Sequence, residues 1–129
     1  MGYYMSTSFA GSFDEGIAAI TEALQNQGFG VLSDIDVSAT MKKKLDVDFP
    51  RYRILGACNP QFAHQALQEE SKIGTLLPCN VVVREQGDHT VEIAAVDPVE
   101  SLGAVGNQAL NPLAVEVRGR LEAALSTLH

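Results

Sequence analysis

Asn80-Val81-Val82-Val83-Arg84-Glu85-Gln86-Gly87-Asp88-His89-Thr90-Val91-Glu92-Ile93-Ala94-Ala95-Val96 is the stretch that decides the fold. Its first part, Asn80 to Glu85, is rich in β-branched residues, and Thr90 to Val96 returns with Val91, Ile93 and Ala95 on one side. Between them, Gln86-Gly87-Asp88 supplies a turn. Two such runs across a short Gly/Asp turn read as a β-hairpin, and a hairpin makes its strands antiparallel. His89 falls in that turn and His129 ends the chain, so neither is a functional candidate.

Working upstream, Gly74 and Pro78 bracket the turn into this hairpin. Before them, Pro60 suits a helix start, where its missing N–H costs nothing, and Phe62, Ala66 and Leu67 give that helix an apolar stripe to about Glu70. Tyr52 to Ala57 reads as a strand closed by Asn59-Pro60. Asp46 to Pro50 is a loop. Ser38 is placed to cap a short helix through Lys44, with Met41 and Leu45 facing inward. Phe29, Val31, Ser33, Ile35 and Val37 fall on one face of an earlier strand. At the N-terminus, Tyr3, Met5, Thr7 and Phe9 alternate with Tyr4, Ser6 and Ser8, the period of a half-buried strand. Ser12-Phe13-Asp14-Glu15 fits a capping box opening a helix with Ile17, Ile20 and Leu24 on its inner face, and Gly28 supplies the left-handed residue that closes it.

Downstream, Asp97-Pro98 ends the last strand, and a Gly- and Ser-rich loop over 97–110 leads to Asn111-Pro112. Leu113, Val117, Leu121, Leu125 and Leu128 then recur at the spacing of a buried helix stripe. The fold class predicted is α+β, a mainly antiparallel sheet with helices packed on one face. The length predicts a single domain over 1–129. A chain of that size buries roughly two-thirds of its unfolded surface and needs no metal or disulfide to fold.

Charge narrows the partners. Lys and Arg number 9 against 16 Asp and Glu, for a net charge of −7. The one basic cluster, Lys42-Lys43-Lys44, reads as a solvated helix turn, so no nucleic-acid partner is expected. No stretch approaches the ~20 apolar residues that cross a bilayer, so no membrane partner is expected either. The N-terminus has neither a basic nor an apolar signal segment. With 2 cysteines in such a chain, reduced thiols and a cytoplasmic location are expected.

Chemistry, if there is any, gathers at a repeated dipeptide. Gly56-Ala57-Cys58-Asn59-Pro60 closes one strand, and Leu77-Pro78-Cys79-Asn80 opens the next. Each Cys-Asn pair lies at a strand–loop junction beside a proline. If those strands are antiparallel neighbours, the junctions meet at one sheet edge. Two thiols there can line a binding site, form a redox couple, or offer soft ligands to Cu(I) or Zn, with His64 as a third ligand. They can equally be buried as small hydrophobes. Asp97-Pro98 places a carboxylate near the same edge, followed by a loop able to act as a lid; a turn-initiating aspartate is the plainer reading. Asp46, Asp48, Arg51, Tyr52 and Arg53 suit surface ion pairs. No G-x-G-x-x-G, P-loop, H-E-x-x-H or G-x-S-x-G is present, so no catalytic residue and no cofactor is assigned.

Gly28-Phe29-Gly30-Val31-Leu32 with Ile35-Asp36-Val37, Tyr52 to Pro60, Gly74 to Val83, and Val96-Asp97-Pro98 together resemble the domain-of-unknown-function 302 family, in order and over nearly the whole chain. The resemblance implies a β-α-β(4)-α type of α+β fold and a homodimer, and it implies no reaction. The motif positions it carries over are Cys58, Asn59, Pro60, Pro78, Cys79, Asn80, Asp97 and Pro98. The function expected is a binding domain whose cleft takes a small molecule or a soft metal ion. A thiol-dependent oxidoreductase and a structural interaction module are the alternatives.

Overall fold

The computed structural model describes residues 2–87 and 90–128; Met1, Asp88, His89 and His129 lie outside them, so the sequence reading of Asp88 and His89 as turn falls outside the described residues. Five strands, β1 (Tyr4–Phe9), β2 (Gly30–Asp36), β3 (Tyr52–Cys58), β4 (Cys79–Glu85) and β5 (Val91–Val96), form one sheet in the order β1-β5-β4-β3-β2. Every neighbouring pair is antiparallel. The hairpin read from 80–96 is β4–β5, with Val83 opposite Ile93.

Helix α1 (Phe13–Asn26) begins at the expected capping box: Ser12 Oγ accepts from Glu15 N at 3.1 Å, and Ser12 N donates to Glu15 Oε1 at 2.8 Å. Gly28 follows its C-cap with φ +87°, a conformation that disfavours a side chain. Because β1 and β2 are the two sheet edges, α1 must cross the sheet between them. It lies with α5 (Asn111–Ser126) on one face, and Ile20, Leu24, Leu121 and Leu125 interlock there with Leu55, Val81, Val83 and Ile93. A smaller cluster of Ala66, Ile73, Leu102, Leu110 and Ala114 sits beside it, under α3 (Pro60–Glu69) and α4 (Pro98–Gly103).

Four local readings are corrected. A bulge between Val31 and Ser33 reverses the alternation in β2: Val31 pairs with Ala57 on the inner face, whereas Ser33 and Ile35 pair with Gly56 and Ile54 on the outer one. Helix α2 (Val37–Leu45) starts at Val37, the residue read as strand. Its cap is Asp36, which accepts from Ala39 N at 2.9 Å and from Ser38 Oγ at 2.9 Å, so Ser38 buttresses the cap rather than forming it. Leu67 points outward at 46% exposure, whereas Ala66 of the same stripe is buried as read. Finally, 97–110 is no open loop: it folds into α4 and a 3-10 turn over Gln108–Leu110.

The outer sheet face carries no helix from α1 or α5. Its middle row runs Ser6, Ala94, Val82, Ile54, Ile35 across the strands. Tyr4 and Tyr52 share a groove with Val82 and Ala94 on that face, and Phe49 stacks edge-on against Tyr52. Leu32, Leu45 and Val47 are exposed, and α2 buries none of its own residues. The lysine cluster behaves as read: Lys42 pairs with Asp46 at 3.1 Å and with Asp48 at 3.4 Å in solvent.

Candidate functional site

The antiparallel register brings the two Cys-Asn junctions to one rim. Ala57 lies opposite Cys79 and Gly56 opposite Asn80, while Cys58 pairs across to Gly30 at the start of β2. Cys79 shares the inward parity of Val81 and Val83. Both cysteines are free thiols. They line a narrow, partly enclosed cavity of about 30 Å³ between the sheet rim, α3 and α5, together with Asn59, Pro78, Phe29, Phe62, Ala66, Leu77, Leu102, Leu113 and Val117.

Asn59 is the one amide in that lining. Its side chain is committed as the α3 cap, Oδ1 accepting from Gln61 N at 3.2 Å and from Phe62 N at 3.4 Å. The cavity is therefore almost wholly carbon and sulfur. Such surroundings penalise a thiolate. Burial pushes the Cys79 thiol up to about 11, and the nearby Cys58 adds to the rise. At neutral pH Cys79 is an uncharged thiol.

The remaining motif residues go elsewhere. Pro60 is exposed at the first turn of α3. Asn80 turns to the outer sheet face, where it lines a groove with Tyr4, Tyr52, Val82 and Arg84. Asp97 is 8% exposed and fully engaged: its Oδ1 accepts from Val99 N at 2.9 Å as the α4 cap, and its Oδ2 accepts from Arg118 Nε at 2.9 Å. With Pro98 buried beneath it, this pair locks α4 to α5 rather than facing the cavity. His64 is exposed on α3 and is not part of the cavity lining. Among the described residues, no three of His, Cys, Asp and Glu gather in a group able to hold a metal ion.

Sequence reasoning missed the apolar half of the site. Phe29, Phe62, Leu102, Leu113 and Val117 come from four separate segments; Leu102 reads as loop and the others only as apolar faces of a strand or helix. Their one sequence signal is an Asn-Pro at the start of both α3 and α5, with Phe62 two residues after Pro60 and Leu113 directly after Pro112. Asn59 caps α3 with its side chain, whereas α5 starts without a side-chain cap.

Fold and cavity together define an α+β domain whose antiparallel sheet is roofed on one face, with a narrow apolar pocket at its rim. The chain belongs to the family described as domain of unknown function DUF302, which matches residues 4–128. It is similar to an uncharacterized conserved protein DUF302 from Bacillus stearothermophilus, known by crystal structure, at 30% identity and a TM-score of 0.92, with 100% of each chain covered. No curated protein matches the sequence. Among the described residues no helix is long and apolar enough to cross a membrane.

Proposed function

We propose that the chain is a non-catalytic binding domain for a small molecule whose uncharged, apolar part is held in the cavity beside Cys58 and Cys79. The observation that carries this reading is the lining itself: two sulfurs and a shell of aliphatic and aromatic groups, with its only amide already used as a helix cap. Pockets that take small molecules are mostly apolar with few polar groups. A redox couple would need an accessible thiolate of lowered pKa, and Cys79 is shifted the opposite way. The reading keeps both thiols reduced, as in the cytoplasm. Crystals pressurised with xenon test it. Xenon is expected between Cys79, Phe62 and Leu102, and crystals with no xenon there would count against the cavity as a site.

The second element of the proposal is a homodimer formed through the outer sheet face. The support is an apolar middle row, half-buried Ala94, Val82 and Ile54 with exposed Ile35, beside partly exposed aromatics. Strands ~4.8 Å apart and ~3.3 Å per residue give that face roughly 400–500 Å². A stable interface takes ~800 Å² from each partner. The deficit is made up by α2 and the segment after it, where Leu45 (65% exposed), Val47 (46%) and Phe49 (42%) stand in solvent. This also accounts for a helix that buries nothing within its own chain.

A further inference from the structure

We infer that Phe62 and Leu113 form a door between the narrow apolar cavity and a wider, more polar groove beside it, so that the ligand is an amphiphile: an apolar end inside, and a cationic or neutral hydrogen-bonding end in the groove. This rests on the cavity reading above and names its ligand class.

The cavity, at about 30 Å³, holds only one or two water-sized groups. On the other side of Phe62 and Leu113 lies a groove of about 380 Å³ between α3 and the start of α5. Phe62 and Leu113 are the two residues that line both spaces. Along α3, Ala63 and Ala66 face inward and Gln65, Gln68 and Glu69 face the groove, which leaves Phe62 on the boundary. Leu113 holds the same position on α5, between inward Val117 and outward Glu116. Neither boundary side chain is fully buried, and both can turn outward without breaking a hydrogen bond.

A latch holds the door. The Arg120 guanidinium stands 5.2 Å over the Phe62 ring, a cation–π distance, while its Nε donates to Glu116 at 3.2 Å and its other arm donates to the Gln27 carbonyl at 3.2 Å. The groove supplies amides and carboxylates. Arg120 already satisfies Glu116, so Glu69 is the groove charge that meets no cation among the described residues. A ligand whose outer end is an amine or hydroxyl fits these walls, and one ending in a carboxylate is repelled.

The test uses the whole protein with n-hexylamine and hexanoate as probes, followed by NMR. Hexylamine is expected to shift signals on both sides of the door, at Gln65 and Glu69 outside and at Cys79 and Val117 inside. Hexanoate is expected to bind about tenfold or more weakly, because like charges oppose it. Phe62→Ala removes the door and should speed hexylamine association about tenfold or more, since binding that waits on a conformational change is slowed by it. Should that variant fold poorly, Arg120→Ala releases the latch from the surface and should act in the same direction. Shifts confined to the groove, or an unchanged rate in both variants, overturn the door. If xenon enters the cavity and hexylamine does not, the door is wrong and the cavity reading stands. If xenon is also excluded, both fall.

Discussion

Val82→Arg is expected to turn the proposed dimer into monomers while leaving each chain folded. Val82 sits at the centre of the outer row, between Ala94 on β5 and Ile54 on β3. Two residues on, the same face already carries Arg84, whose Nε donates to Glu92 at 2.7 Å, so a long cation there costs the isolated chain little. Sealed under a second copy, the new guanidinium would lack a partner, a loss of ~3–5 kcal/mol. That corresponds to roughly a hundredfold to several-thousandfold weaker dimer. Sedimentation equilibrium reads the change, and circular dichroism confirms that the fold survives. A wild-type monomer, or a variant dimer of undiminished affinity, contradicts the assembly.

The second large effect is on Cys79 itself. Its thiol is raised from the ordinary range near 9 to about 11, mainly by burial. Two units leave about a hundredfold less thiolate at neutral pH. In a Cys58→Ser variant, Cys79 should therefore react about a hundredfold more slowly with a disulfide reagent when folded than when unfolded in guanidinium. The sign of the linked stability follows. Folding favours the protonated thiol, so this contribution is intact below pH 9 and is lost as pH rises through about 11. The ultraviolet thiolate band should appear with a midpoint near 11. A midpoint at 9 or below would put the redox alternative ahead of the binding reading.

What was legible in the sequence follows from what local patterns encode. The β4–β5 hairpin showed itself because β-branched residues flank a Gly turn, and α1 because its cap chemistry lies within four residues. The bulge in β2 was hidden, since alternation cannot mark the extra residue that reverses it. Helix α4 was hidden for a different reason. Asp97-Pro98 ends a strand and caps a helix with the same chemistry, and the six residues that follow include only Leu102 as a strong apolar anchor. At the site, the paired Cys-Asn junctions were visible because each is a short motif at a strand end, and the register of β3 and β4 brings them together. Helix periodicity tells which side of α3 or α5 is apolar, yet not which residues will face each other across a gap. Phe62 opposite Leu113, and Asp97 on Arg118, are tertiary facts.

Native mass spectrometry on protein taken from its own host puts the binding role to the most direct trial. The expected spectrum shows the assembled chains carrying a small organic molecule, released on denaturation, with both sulfurs still reduced. Bare chains lighter by the hydrogens of a disulfide, or chains carrying the mass of a metal ion, would contradict the account.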